Sequence, residues 1–143
     1  MFRRAAAAVR LLPFMSESDS RRYAHINLPH ARTIIQRIAR SLEALGAFGE
    51  GGNGNALALH AAYDRLDQAA QPFDEDPPIA LALRAADELA ARARALVALI
   101  LETPARGDRL GQNVRNLFEC LGLAEEGAAL SLQCGERPDS PLR

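Results

Sequence analysis

Lysine and tryptophan are missing from this chain, and aromatic residues of any kind are rare. All 17 basic residues are arginines, a bias that the codon usage of a GC-rich bacterial genome explains most simply. Aromatic residues make up only 5% of the sequence, so the core must be aliphatic and rich in alanine. Such a core suits packed helices better than a sheet, which favours aromatic and β-branched residues. Without lysine the chain cannot form a Gly-Lys-Ser/Thr phosphate loop, although residues 46–55 are rich in glycine.

The sequence also lacks a large net charge, a metal-type cysteine pattern and a long apolar run. A net charge of −1 argues against nucleic acid as the partner. Because Cys120 and Cys134 do not have the spacing of metal ligands, we interpret them as reduced thiols of a cytoplasmic protein. A disulfide between them is the alternative if the C-terminal residues fold back. The apolar run Ala95–Leu101 is far shorter than the ~20 residues that cross a bilayer, so no membrane span is predicted.

Apolar periodicity predicts four helices, over residues 29–46, 55–70, 77–102 and 108–122. The segment 77–102 is the longest; it starts with two prolines, which the first turn of a helix tolerates, and it ends before Pro104. Its apolar residues cover one broad arc with alanines at the centre, which is wider than a coiled-coil seam and typical of a bundle helix. The predicted fold is therefore an all-α, antiparallel four-helix bundle.

The predicted domain organisation places the bundle between two disordered tails. Residues 27–123 form the bundle, residues 1–26 a flexible N-terminal extension and residues 124–143 a weakly ordered C-terminal tail. Residues 1–14 carry arginines and no acid and so resemble a transit peptide weakly, but a loose extension is the interpretation we favour.

The sharpest candidate site lies on the helix predicted at 55–70. His60, Asp64 and Asp67 are spaced by four and three residues, which places them on one helical face. A histidine with two carboxylates can bind a divalent metal or act in base catalysis. However, this face lies opposite the apolar face of the same helix, and no second helix supplies further ligands. We interpret it as a solvated face, with a metal or catalytic site as the alternative, and we assign no catalytic residue and no cofactor.

Polar residues on two other helices are interpreted more simply. Arg32, Arg37 and Arg40 lie on the polar face of the first helix, but without interleaved aromatic side chains they are interpreted as solubilising rather than as a nucleic-acid interface. Asn113 falls inside the apolar arc of the fourth helix. A buried amide must be hydrogen-bonded or it costs ~1–3 kcal/mol. Asn113 is therefore expected to fix the helix register, or to lie at the edge of the bundle.

The functional prediction is a small, non-enzymatic helical interaction protein, an adaptor or regulator, with a homodimer as one form. The partner surface is expected on the long helix 77–102, whose apolar end Leu96–Leu101 should extend beyond its intramolecular cover, with Leu81 and Leu99 on its outer face. Exposed apolar patches mark partner surfaces. The alternative function is a metal-binding or catalytic helical bundle that uses His60, Asp64 and Asp67.

Overall fold

The computed structural model describes residues 16–49, 55–75 and 77–138, and these residues form six α-helices and no strand. The all-α prediction is confirmed for them. The four-helix bundle is not confirmed, because two helices lie outside the four that were predicted. The helices are α1 (Glu17–Tyr23), α2 (Leu28–Ala44), α3 (Asn55–Ala70), α4 (Ile79–Leu101), α5 (Asp108–Cys120) and α6 (Ala124–Gln133).

Helix α1 lies within the segment that was predicted to be a flexible extension. Ser16 caps it by accepting a hydrogen bond from the Asp19 amide at 3.0 Å. Arg22 ties it to the rest of the fold, since its Nε donates to the Leu121 carbonyl at 3.1 Å and its guanidinium pairs with Asp87. The prediction of a disordered extension is therefore corrected for residues 17–23. The stretch 1–14, with its transit-peptide-like composition, lies outside the described residues.

Helices α2 and α5 run antiparallel and pack along a seam that joins their polar faces. The start of α2 meets the end of α5, where the Asn27 amide donates to the Cys120 carbonyl at 2.9 Å. Further along, the Asn113 amide of α5 donates to the Ser41 hydroxyl of α2 at 3.0 Å. Helix α3 packs against both α2 and α4. The seam thus joins segments that are distant in sequence.

The core is aliphatic, as the composition predicts. Helix α4 contributes its central alanines, which let neighbouring helices approach closely. Phe118 is the one aromatic side chain among the fully buried residues in the described part of the chain. The buried residues of α4 include Ala82, Ala86, Ala90, Ala93, Leu96, Val97 and Ile100.

Helix α6 replaces part of the predicted C-terminal tail and packs closely along α5. Gly127 permits this approach, because a Cβ at that position would lie 2.8 Å from Phe118 Cβ and 2.9 Å from the Arg115 carbonyl oxygen. The buried residues of α6 are Gly127 and Ser131, neither of which gives an apolar signal. The tail prediction is therefore corrected for residues 124–138, while residues 139–143 lie outside the described part of the chain.

A buried polar cluster, here named the C-terminal clasp, fixes the chain after α6. It consists of Arg115, Ser131 and Glu136. The Glu136 carboxylate accepts from Arg115 Nη2 at 2.8 Å and from the Ser131 hydroxyl at 2.8 Å. Gly111 completes the contact, since a Cβ there would lie 2.5 Å from the Glu136 backbone nitrogen. The C-terminal turn is therefore held by charge-assisted hydrogen bonds and by backbone packing.

Candidate functional site

The structure places His60 and Asp64 together but leaves them exposed on α3. His60 Nδ1 lies 3.1 Å from Asp64 Oδ2, and the two side chains are 57% and 49% exposed. The His60 ring also meets the Phe48 ring edge-on at 5.1 Å between centroids. Among residues 16–49, 55–75 and 77–138, no group of three or more histidine, cysteine, aspartate or glutamate side chains could hold a metal ion. Asp67, the third predicted residue, is within electrostatic reach of Tyr63.

Tyr63 lies beside the His60–Asp64 pair and connects it to the core. Burial raises the pKa of its hydroxyl to about 12, with the Asp67 and Asp64 carboxylates contributing in the same direction. Its ring contacts Phe48 at 6.2 Å between centroids. A phenol with a raised pKa stays neutral at physiological pH, so this side chain packs rather than transfers protons.

The two cysteines are free, buried thiols rather than a disulfide. Burial raises the pKa of the Cys120 thiol to about 11, and it does the same for Cys134. Because the thiolate is the nucleophile, both side chains are poorly suited to covalent chemistry at neutral pH.

The end of α4 is covered, contrary to the sequence prediction. Leu96, Val97 and Ile100 are buried. The chain turns back directly after the helix, and the Arg106 guanidinium donates to the carbonyl oxygens of Ile100 at 3.1 Å and Leu101 at 3.0 Å. The apolar end that was expected as a partner surface is therefore not exposed at Leu96, Val97 and Ile100, whereas Leu81 is 49% exposed, as predicted.

A polar cleft of about 530 Å³ opens between α2 and α5. Arg37 and Arg40 of α2 and Arg109 of α5 line it together with neutral amides, and its lining includes no carboxylate among the described residues. All three arginines are exposed. The other lining residues are Ser41, Ala44, Gln112, Asn113 and Asn116.

The floor of the cleft is held by hydrogen bonds between buried polar side chains. The Ser41 hydroxyl donates to the Arg37 carbonyl at 3.1 Å and accepts from Asn113 Nδ2 at 3.0 Å. Gln112 Nε2 donates to Asp108 Oδ2 at 2.9 Å. Asp108 is outside the cleft lining and also accepts from the Arg137 amide at 2.9 Å. Asn113 therefore has the buried, hydrogen-bonded role expected of it, because it joins α5 to α2.

Within the part of the chain that the structure describes, the three cleft arginines differ from most other arginines in having no anionic partner. The described residues include thirteen arginines, and eight of these form an ion pair or donate a side-chain hydrogen bond. Within the described residues, the remaining five guanidinium groups form neither, and three of the five line this one cleft. These five residues are Arg37, Arg40, Arg65, Arg84 and Arg109.

From the sequence we named the cleft residues Arg37 and Arg40 of α2 but did not name Arg109, Gln112 and Asn116 of α5. Arg37 and Arg40 were interpreted as solubilising, because a single helix does not reveal what lies opposite its polar face. Arg109, Gln112 and Asn116 are spaced by three and four residues along α5, so they form a polar stripe on that helix. That stripe can be seen in the sequence. The cleft forms only because α5 packs on α2, which brings the stripe next to Arg37 and Arg40.

A functional assignment for this chain depends on the geometry of the cleft, because comparisons with known proteins supply no relative. None of the helices in the described residues is both long and apolar enough to cross a membrane. No protein-family model, curated protein or solved structure matches the chain.

Proposed function

We propose that this protein is a non-enzymatic interaction protein, an adaptor or regulator, that binds an acidic segment of a partner in the α2–α5 cleft. The observation that carries the proposal is the convergence of three arginines without ion pairs, Arg37, Arg40 and Arg109, on one cleft without a lining carboxylate among the described residues. The proposal moves the partner surface from α4, whose end is covered, to α2 and α5.

Electrostatics supports an anionic ligand. Arg37 and Arg40 are three residues apart on α2, so their guanidinium groups repel each other, and Arg109 adds a third positive charge from α5. An anion in the cleft relieves this repulsion and gains charge-assisted hydrogen bonds from rigid, planar donors. Since the whole chain has a net charge of −1, this attraction is local and does not depend on the overall charge.

The chemistry of the lining supports binding rather than catalysis. The charged groups are guanidiniums, which do not give up protons at physiological pH. The Ser41 hydroxyl already donates to the Arg37 carbonyl at 3.1 Å, and it has no histidine beside it in the cleft lining. We also place the protein in the cytoplasm, a compartment that keeps thiols such as Cys120 and Cys134 reduced.

The test compares two double variants that are matched in charge. Arg37→Ala/Arg40→Ala removes two cleft arginines, and Arg65→Ala/Arg84→Ala removes two exposed arginines elsewhere that also lack ion pairs within the described residues. Each variant lowers the net charge by two. The probe is a fluorescein-labelled peptide with two adjacent glutamates at one end of an otherwise neutral sequence, and binding is followed by anisotropy over a range of salt concentrations.

We expect the wild-type protein and the Arg65/Arg84 variant to bind the peptide, with affinity falling as salt rises. The Arg37/Arg40 variant should bind at least about tenfold more weakly, because each lost charge-assisted hydrogen bond is worth ~1.5–3 kcal/mol. Circular dichroism should show both variants folded. Equal losses in the two variants, or no binding by the wild type, would refute the proposal.

A further inference from the structure

A second pocket continues the cleft along the same seam. It has a volume of about 280 Å³ and is lined by His30 and Ile34 of α2 and by Glu119 and Cys120 of α5, among others. Asn116 lines both pockets, so they adjoin along the α2–α5 seam, and the two together are here named the α2–α5 groove. From His30 to Ala44 the groove follows fourteen helical steps of ~1.5 Å, which makes it roughly 21 Å long.

The length of the groove favours a chain rather than a compact ion. An isolated anion would occupy only the arginine end and leave the part beyond Asn116 empty. An extended peptide advances ~3.3 Å per residue, so about six residues fill the groove. Side-chain amides such as that of Asn116 can hydrogen-bond to a peptide backbone along the way.

The two ends of the groove differ in charge, and this difference restricts the ligand. Arg37, Arg40 and Arg109 stand at one end, whereas the Glu119 carboxylate lines the other. Glu119 is paired with Arg115 at 3.6 Å, although its side chain remains 45% exposed. A segment that is acidic along its whole length would bring a carboxylate against Glu119. The groove therefore suits a segment with concentrated negative charge at one end and neutral residues at the other.

We propose that the α2–α5 groove binds a phosphorylated peptide segment, with the phosphate monoester at Arg37, Arg40 and Arg109 and the chain running past Asn116. The inference rests on the proposed function and names the acidic group. A phosphate monoester carries about −1.5 to −2 charges at neutral pH, against −1 for a carboxylate, so it neutralises three clustered arginines better. Its oxygens also accept from several planar guanidinium forks at once.

The test uses peptides of about six residues that differ only at one terminal position, which is serine, glutamate or phosphoserine. Full-length protein is titrated against each labelled peptide. We expect phosphoserine to bind about tenfold or more tighter than glutamate, because the phosphate has a greater charge and three acceptor oxygens instead of two. We expect serine not to bind measurably. Arg37→Ala/Arg40→Ala should abolish this preference, whereas Arg65→Ala/Arg84→Ala should preserve it.

Two further variants test the geometry. Arg37→Lys/Arg40→Lys keeps the charge but removes the planar forks, so phosphopeptide affinity should fall several-fold. His30→Trp should weaken binding of the phosphopeptide and leave the affinity for phosphoserine alone unchanged, since His30 is exposed and lines only the part of the groove beyond the arginines.

The outcomes separate the inference from the proposed function. Equal binding of the glutamate and phosphoserine peptides would overturn the phosphate assignment and leave the acidic-segment proposal in place. Absence of binding by any acidic peptide would overturn both. If inorganic phosphate alone bound as tightly as the phosphopeptide, or if a single-stranded oligonucleotide bound more tightly, the ligand would not be a peptide and the inference would fail.

Discussion

Glu136 carries the buried carboxylate of the C-terminal clasp, and replacing it with alanine should destabilise the fold strongly. Its side chain is only 1% exposed, and that of its partner Arg115 is 14% exposed. Removing one partner of a buried ion pair typically costs ~3–5 kcal/mol, because the other charge remains buried without compensation. The change therefore tests whether α6 and the turn after it belong to the cooperative unit.

The structure points to the lower end of that range. After Glu136→Ala, Arg115 keeps a contact with Glu119 at 3.6 Å, and the Ser131 hydroxyl can donate its proton to the Ala128 carbonyl oxygen, which lies 2.8 Å away. We therefore expect a loss of about 3 kcal/mol in the free energy of unfolding. For a chain of this size, such a loss lowers the melting temperature by about 10 °C.

Urea unfolding followed by circular dichroism measures the loss, and an exposed ion pair provides the control. The Arg94 and Glu126 side chains are 48% and 33% exposed, so Glu126→Ala should cost at most about 1 kcal/mol. The double variant Arg115→Met/Glu136→Leu should recover most of the stability, because it removes both buried charges. If Glu136→Ala cost no more than Glu126→Ala, the clasp would not hold the C-terminal turn and the reasoning would be wrong.

Three more predictions concern the packing of glycine, the reactivity of the thiols and the ionisation of Tyr63. Gly111→Ala should lower the free energy of unfolding by about 1–3 kcal/mol or more, because it forces a methyl group into the turn after α6. Gly107→Ala should be nearly neutral, because its Cβ would meet only Leu45 methyl groups at 3.6 Å. Thermal melts compare the two variants. Cys120 and Cys134, whose thiol pKa values are raised to about 11, should react slowly with a thiol reagent at mildly alkaline pH until denaturant is added, and reaction at the unfolded rate would contradict their burial. Tyr63 should ionise near its raised pKa of about 12 in an ultraviolet absorbance titration, and Tyr63→Phe should remove that step. Because the folded state favours the neutral phenol, the contribution of Tyr63 to the free energy of unfolding is present below pH 10 and is lost as the pH rises through about 12.

The helices that the sequence predicts correctly are those with a continuous apolar face. Helices α2 to α5 fall within two residues of their predicted limits because each buries regularly spaced aliphatic side chains. Helix α6 has no such face, since Gly127 and Ser131 are its buried residues. Periodicity cannot detect a helix that packs through a glycine and a serine. Comparison of helix lengths failed for α4, because the length of a helix does not show which residues cover its end, and Leu96, Val97 and Ile100 are buried.

The candidate site was less accessible to sequence reasoning than the fold. Spacing within one helix brought His60 and Asp64 together correctly, because residues four apart share a face in any helix. The groove depends instead on which polar faces meet. Asn113 and Ser41 are 72 residues apart in sequence, and their hydrogen bond exists only once α5 has packed on α2. A single sequence does not specify that pairing.

The separation of the two groove walls along the chain also couples binding to folding. Because α2 and α5 come together only in the native state, the unfolded chain has no groove and a ligand of the groove binds the folded form alone. By mass action, such a ligand at about 100 times its dissociation constant adds ~2.7 kcal/mol to the free energy of unfolding. A melting-temperature screen can thus search mixtures of phosphorylated and acidic peptides for the partner before its identity is known. In that screen the Arg37→Ala/Arg40→Ala variant, which is expected to remain folded because both side chains are exposed, distinguishes ligands of the groove from compounds that stabilise the protein elsewhere.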